Sequence, residues 1–363
     1  MSADIQPGLI EADAVIVGAG PVGLFQAFQL GLLEISAHIV DALPYVGGQC
    51  VELYGDKPIY DIPGIAMCTG RELIDNLQKQ VAPFRPVLHL GELVNQVEKQ
   101  ADGRLLVATN KGTQFLTKAL FIAAGVGAFQ PRMPGVEALH PLEGSQVLTA
   151  LPQPTDWSGR KVMVLGDSEA ALSATIELAT SASPPASVTL LHRRNVFTAE
   201  PATTATFRTM LEDGRISFVA GQLTGVESDA GRMTSASILN AEGAQQSVSA
   251  DLMVVLLGLS PKLGPIAHWG LDMERRQIKV DTETFATDVP GIFAVGDVNT
   301  YPGKKKLILC GFHECVLAAF GAAPLIFPDK KLLLQYTTTS TRLHTLLGVN
   351  SSAAVESSQK TTL

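Results

Sequence analysis

Cysteine is scarce in this sequence. Only Cys50, Cys68, Cys310 and Cys315 occur in 363 residues, and no two stand in C-x-x-C spacing. That excludes a disulfide-stapled secreted framework and a local thioredoxin-type dithiol, and reads as free thiols in a reducing compartment. No His/Cys cluster has zinc-site spacing, so no metal is expected. Positive charge is also short, with 27 Lys and Arg against 35 Asp and Glu and a net charge of −8. Nucleic acid is therefore a poor partner, and an acidic protein partner must find a locally basic patch. Long hydrophobic runs are missing too. Stretches such as Leu252 to Leu259 are strand-length, well short of the roughly 18 residues that span a bilayer. The N-terminus has neither a basic region nor an apolar core of the export type, so a cytoplasmic protein without a membrane partner is expected. With 46% hydrophobic and 17% charged residues, the chain is long enough for two globular domains.

What is present is glycine in three informative places. The run AVIVGAGPVG, from Ala14 to Gly23, places Gly18, Gly20 and Gly23 between a buried strand and a helix expected over Val22 to Leu32. Gly18 permits a tight turn, Gly20 presents no side chain to a pyrophosphate, and Gly23 allows close helix–strand packing. The helix N-terminus offers free N–H groups and a partial positive charge to phosphates. A second strand, Ala37 to Val40, ends on Asp41, 18 residues after Gly23, near the offset of an acid that accepts from ribose hydroxyls. Near the C-terminus, GIFAVGD (Gly291 to Asp297) places Asp297 at a strand end, where a carboxylate can accept from a ribitol hydroxyl. That motif selects FAD for the first site.

The second signal, KVMVLGDSEAA (Lys161 to Ala171), is a reduced fingerprint. Gly166 keeps the turn, Ala171 keeps the close packing, and Ser168 stands where the second glycine belongs. The following strand, Ser187 to Leu191, ends in His192-Arg193-Arg194. Two guanidiniums there suit a ribose 2′-phosphate by charge and bidentate geometry, so NADPH is expected at this site. The fold class follows as α/β, with two Rossmann-like dinucleotide-binding domains, the NADPH domain inserted in the FAD domain. Proline-marked composition shifts set the expected boundaries: 1–130 and 288–349 for the FAD domain, 131–287 for the NADPH domain, and a disordered tail over 350–363. Within the first domain, residues 1–12 read as a short tail. A helix is expected over Gly70 to Val81, with strands over Leu88 to Val97, Leu105 to Thr109 and Gln114 to Phe121. The crossovers near Pro131 and Pro290 would be hinges.

With these motifs in view, the chain resembles the thioredoxin-reductase-like ferredoxin–NADP reductases over nearly its whole length. The resemblance rests on VGAGPVG, on Gly47-Gly48-Gln49 with Tyr54, on Tyr60 to Gly64, on AAGVGAFQPR, on the His192-Arg193-Arg194 run, on TDVPGIFAVGD and on Tyr301 to Glu314. It implies a homodimer with one FAD per subunit, held at Asp41, Gln49, Tyr54, Val94, Phe129, Asp297 and Thr338. It implies electron flow from NADPH through FAD to ferredoxin in two one-electron steps. The chain departs from the family pattern at Ser168 and at Asn195 to Thr198, both on the NADPH side.

Cysteine spacing separates this chain from dithiol relatives of the same fold. It has no Cys between about 131 and 287, and Cys50 is followed by Gly55 where a resolving thiol would stand. Electrons must then leave the flavin directly, which suits a one-electron acceptor. The alternatives are flavodoxin, quinone, oxygen or a partner's disulfide as acceptor, or a scaffold that merely holds FAD. Hydride transfer needs no side-chain acid or base, so no catalytic residue is assigned. The basic candidates for docking an acidic ferredoxin are Lys304-Lys305-Lys306, Lys330-Lys331 and Arg342.

Overall fold

The computed structural model describes residues 8–152, 156–330 and 336–348. The packing divides the chain into two units. One comprises residues up to Phe129 and from Pro261 onward, the other Gln130–Ser260. The expected tail over 350–363 lies outside the described residues.

In the first unit, alternation along the strands decides the layering. Ala14 and Ile16 face one core with Ala119, Phe121 and Phe293, while Val15 faces the other with Leu120, Ile122 and Ile292. Successive strand residues point to opposite sides, so a sheet buried on both faces needs apolar residues at every position. The sheet runs Val87–Leu90, Ala37–Asp41, Leu9–Val17, Gln114–Ile122, Leu105–Thr109, Val94–Lys99. The first four strands are parallel. The long strand Gln114–Ile122 divides its far edge. Its first half pairs antiparallel with Leu105–Thr109, and its last three residues pair parallel with Ile292–Ala294. Helices Pro21–Leu32, Gly70–Val81 and Ile308–Ile326 contribute to the first core. Gly70–Val81 begins at a reciprocal cap: Thr69 accepts from the Glu72 N–H, and Glu72 accepts from the Thr69 N–H. Helix Ile308–Ile326 is long and apolar enough to cross a membrane by length and composition alone, at mean hydropathy 1.6. Here its small residues Gly311, Cys315, Ala318, Ala319 and Ala322 are buried in the protein core.

The second unit repeats the plan. A five-stranded parallel sheet runs Val147–Leu148, Leu252–Val255, Lys161–Leu165, Ser187–His192, Ser217–Ala220. Helices Glu169–Thr180 and Pro201–Glu212 accompany it, followed by an antiparallel meander over Gln222–Asp229, Arg232–Leu239 and Gln245–Ser249. In both sheets the strand order reverses beside the strand that precedes the glycine turn, the topology that opens a crevice at the strands' carboxyl ends.

Three local expectations change. The N-terminal tail expected over 1–12 is strand from Leu9, paired with Gln114–Thr117 and tied by ion pairs Glu11–Arg104 (3.5 Å) and Asp13–Lys118 (3.0 Å). The strand expected over Leu88 to Val97 is two strands, because Gly91 turns the chain at φ +70° and donates to Leu43 O. The return passage lies at Ser260/Pro261 and not near Thr287–Pro290. Ile266, Leu271 and Ile278 bury themselves in the first unit's core, so residues 261–287 belong there.

Candidate functional site

The first glycine turn is shaped by contacts that leave no room for side chains. Gly18 has φ +114°, and a Cβ there would overlap the Ala123 carbonyl. A Cβ on Gly23 would overlap Gly18 O, so helix and strand meet backbone to backbone. Gly20 differs: a Cβ there would meet nothing within 4 Å. The space beside Gly20 is therefore open, the condition for a ligand's close approach. Helix Pro21–Leu32 starts at Gly20 with no side-chain cap and no acid in its first turn, which leaves its N-terminal N–H groups to an anion. Asp41 accepts from the Ala19 N–H (2.6 Å) and the Leu43 N–H (2.8 Å), pinning the turn to the second strand. Burial raises its pKa despite those two hydrogen bonds.

The Gly-Asp loop is held by a charge pair. The Glu314 side chain is 0% exposed and that of Lys304 6%. Glu314 accepts from the Gly296 N–H (2.6 Å), Asn299 Nδ2 (2.8 Å), Tyr301 OH (3.0 Å) and Lys304 Nζ. Lys304 also donates to Gly296 O at 2.8 Å. The pair thus grips both backbone polar groups of the residue before Asp297. Burial first, and then the Glu314 carboxylate, push the Tyr301 hydroxyl's pKa up. From the other side, Gln277 Nε2 donates to Asp297 O (3.2 Å) and Asn299 O (2.8 Å).

These elements surround an open cleft, a concave and largely apolar setting of the kind that takes an organic cofactor. Gly18, Gly20, Asp41, Gln49, Tyr54, Val94, Phe129 and Asp297 all line it. Gly23 lies behind it, in the helix–strand contact. Thr338, in the turn before helix Thr341–Leu346, is not among the lining residues. The open space at Gly20, the uncapped helix and the carboxylates Asp41 and Asp297 fit the phosphates and hydroxyls of FAD. Sequence reasoning missed Glu314 and Gln277, and read Lys304 and Lys306 as docking charges only; Lys306 lines the cleft. Glu314 had a signal: an acid on the small-residue stripe Gly311, Cys315, Ala318, Ala322 of an apolar helix. Gln277 had none.

All four cysteines are free thiols. Cys50 is buried and its Sγ donates to Tyr54 OH at 3.6 Å. Burial raises the Cys50 and Cys68 thiols above their ordinary value, which disfavours the reactive thiolate.

In the second unit, Gly166 adopts φ +155°, and a Cβ there would overlap Leu256 O and crowd Ala171. Ser168 is the N-cap of Glu169–Thr180. Its hydroxyl makes no cap hydrogen bond and instead reaches Leu256 O at 3.5 Å. The helix N-terminus has no side-chain cap, but unlike the first site it carries an acid, Glu169, in its first turn. Arg193 and Arg194 follow the strand end and are exposed. His192 Nδ1 lies 2.9 Å from Arg194 O, and its Nε2 lies 3.5 Å from Asp167. The unusual segment Asn195–Thr198 folds back on the turn: the Thr198 N–H donates to Asp167 O at 2.7 Å, and Glu169 accepts from the Glu200 N–H at 2.8 Å. N–H groups without a side-chain cap and two exposed guanidiniums fit the phosphates of NADPH, while Glu169 is engaged by the Glu200 N–H and Thr203.

The basic candidates for docking separate. Lys304 is not a surface charge, because Glu314 has drawn it into the interior. Lys330 and Arg342 both pair with Glu34. Lys331 lies outside the described residues. Lys305 and Lys306 remain exposed.

Residues 12–308 match the family model described as pyridine nucleotide-disulphide oxidoreductase. A curated relative from Polaromonas naphthalenivorans (strain CJ2), named ferredoxin–NADP reductase, is 58% identical over 351 residues, covering 96% of each chain. Another from Cupriavidus metallidurans, named ferredoxin–NADP reductase 2, is 57% identical over 340 residues, covering 94% of this chain and 92% of the relative. A thioredoxin reductase structure from Gloeobacter violaceus shares the fold, with TM-score 0.57 at 21% identity, covering 90% of this chain and 98% of that one. With glycine turns, a helix N-terminus without a side-chain cap in each unit and the Gly-Asp loop in place, the chain belongs to the pyridine nucleotide-disulphide oxidoreductase family, and within it to the group of the ferredoxin–NADP reductases.

Proposed function

We propose that this protein is an FAD-dependent reductase that moves electrons from NADPH to ferredoxin. The observation that carries the reading is the cleft in which Gly20 leaves open space before an uncapped helix while Asp41 and Asp297 line the walls. Relatives more than half identical over 94–96% of the chain carry the corresponding name. When bound, FAD supplies the conversion between a two-electron donor and a one-electron acceptor. The chain's residues bind and orient. The turn at Gly18–Gly23 receives the pyrophosphate, Asp41 and Asp297 accept from hydroxyls, and Tyr54 and Phe129 offer aromatic faces. Gly166, Ser168 and Ala171 form the turn for NADPH, and Arg193 and Arg194 take its 2′-phosphate. Cys50 has no resolving thiol at Gly55, so each NADPH delivers its two electrons to two ferredoxins and not to a protein disulfide. The proposal includes a cytoplasmic homodimer. Four free thiols fit a reducing compartment, and the exposed Leu53, Tyr60 and Met67 offer apolar surface to a second copy.

The test is anaerobic NADPH-driven cytochrome c reduction with and without added ferredoxin, with NADH alongside. Strong stimulation by ferredoxin is expected, with NADPH preferred. Arg193→Ala/Arg194→Ala should cost NADPH about 2–3 kcal/mol, a factor of roughly 30–150 in kcat/KM, and leave NADH nearly unchanged. An NADPH-bleached flavin indifferent to ferredoxin would overturn the acceptor assignment. An unchanged NADPH preference in the double variant would overturn the role of the two arginines.

A further inference from the structure

The hairpin at Met273–Lys279 has a turn that its own stability does not call for. Met273 pairs with Ile278 and Glu274 with Gln277, which leaves Arg275 and Arg276 as a two-residue turn. Both arginines have positive φ, 48° and 67°. Two-residue hairpin turns with both φ positive favour Asn-Gly or Gly-Gly, because a Cβ is strained in that region. Here both positions are given to long cationic side chains. Both residues are exposed, and neither guanidinium has an ion pair or hydrogen bond to another described residue. The neighbouring Lys279 is different, because it pairs with Asp272 at 3.1 Å. Glu274, the adjacent acid, leaves the tip with a net positive charge.

The base of this hairpin is fastened to the wall of the cleft. Ile278 and Lys279 pair with Asn299 and Thr300, and Gln277 holds the carbonyls of Asp297 and Asn299. Arg276 is bonded directly to Gln277, so the basic tip stands next to the loop that presents Asp297. The same strand, Asn299–Thr300, leads on to the exposed Lys305 and to Lys306 at the cleft. The chain as a whole carries −8 and repels an acidic protein, so a local cationic site beside the cleft is the place where such a partner can approach.

We infer that the Arg275–Arg276 turn, with Lys305, is the docking surface for an acidic iron–sulfur electron carrier. This rests on the ferredoxin reading above and deepens it. The backbone strain is retained because it puts two exposed guanidiniums, unpaired among the described residues, at the tip of the hairpin that holds the Asp297 loop.

The test uses the FAD-loaded full chain with Arg275→Asn/Arg276→Gly, and separately Arg275→Glu/Arg276→Glu. The Asn-Gly variant suits the turn, so its Tm should hold or rise. NADPH oxidation with ferricyanide as acceptor should stay unchanged in both. KM for an acidic ferredoxin should rise about tenfold in the Asn-Gly variant and further in the Glu variant, with a flatter dependence on ionic strength. A ferredoxin KM equal to wild type in both variants overturns the docking surface, while wild-type activity with ferredoxin still stands. Absence of ferredoxin-dependent activity in the wild type overturns the underlying functional reading instead. A fall in the ferricyanide rate in step with the ferredoxin rate would place the hairpin's effect on the cofactor, and would also overturn the proposal.

Discussion

Replacing Lys304 by Met separates a structural lysine from a docking lysine. The substitution removes the ammonium that faces the fully buried Glu314 and donates to Gly296 O. Two unit charges in contact interact by about 4 kcal/mol at the effective dielectric that reproduces protein measurements. Removing one partner of a buried pair costs about 3–5 kcal/mol, because the remaining charge stays desolvated. Glu314 keeps three donors, Gly296 N–H, Asn299 and Tyr301, which places the expected loss at the lower end, about 3 kcal/mol. Against the 5–15 kcal/mol that holds a typical domain together, this is a large fraction. Thermal unfolding should fall by roughly 6–12 °C, at about 2–4 °C per kcal/mol for a unit of this size. Because the pair holds both polar groups of Gly296, Asp297 loses its fixed position, and FAD affinity by fluorescence titration should drop about tenfold or more. The companion variants Glu314→Leu and Lys304→Met/Glu314→Leu complete a double-mutant cycle, in which the double variant should lose less than the sum of the singles. A Lys304→Met protein with wild-type Tm and FAD affinity but a raised ferredoxin KM would refute the reasoning, since that is how an exposed docking charge behaves.

Other perturbations follow from the same geometry. Gly20→Ala should leave the apoprotein's Tm unchanged, because a Cβ there meets no protein atom, yet weaken FAD binding about ten- to a hundredfold by occupying ligand space; equal FAD affinity would remove the pyrophosphate from that turn. Gly23→Ala should cost about 3 kcal/mol whether or not FAD is present, because its Cβ would overlap Gly18 O, and a near-native Tm would contradict the backbone-to-backbone packing. His38 Nδ1 lies 3.0 Å from His89 Nε2, with both rings edge-on to Phe115. Burial first, and then His89, hold the His38 pKa below its ordinary 6.5. The unfolded chain therefore takes up a proton before the folded one, so this contribution to stability is complete above pH 6.5 and lost as the pH falls through that value towards the folded pKa. Denaturant titrations of wild type and His89→Gln across this range should show a shallower acid loss in the variant; identical slopes would count against the coupled pair.

Much of the fold was legible because it follows from local demands. The three glycines of the first turn, the acid ending the second strand and the apolar runs on both sides are requirements of a short stretch of backbone. The helix expected over Gly70 to Val81 is found with those bounds, since Thr69, Glu72 and the spacing of Leu73, Ile74 and Leu77 all act within one helix. Less legible was the N-terminal strand from Leu9, whose Glu11 and Asp13 look like a solvated tail until Arg104 and Lys118 are placed beside them. The return passage was read from proline and threonine punctuation near 287–290. The structure places it at Ser260/Pro261 because Ile266, Leu271 and Ile278 are buried in a core that no local pattern identifies.

The sequence by itself determined the two glycine turns, the β-α-β units that carry them, the lack of a dithiol and the basic end of the second unit's middle strand. These rest on backbone conformation, on side-chain size and on residue types within a few positions of one another. Only the tertiary structure decided the fate of the charges. Lys304, Lys305 and Lys306 are identical neighbours in the chain, yet the first is buried on Glu314, the second is exposed and the third lines the cleft. Lys330 and Arg342 are tied to Glu34, far away in sequence. Gln277 reaches Asp297 from a hairpin that nothing local connects to the cofactor cleft. Desolvation and pairing depend on which distant groups the fold brings within a few ångströms, and for that reason the charged part of the site could be read only in three dimensions.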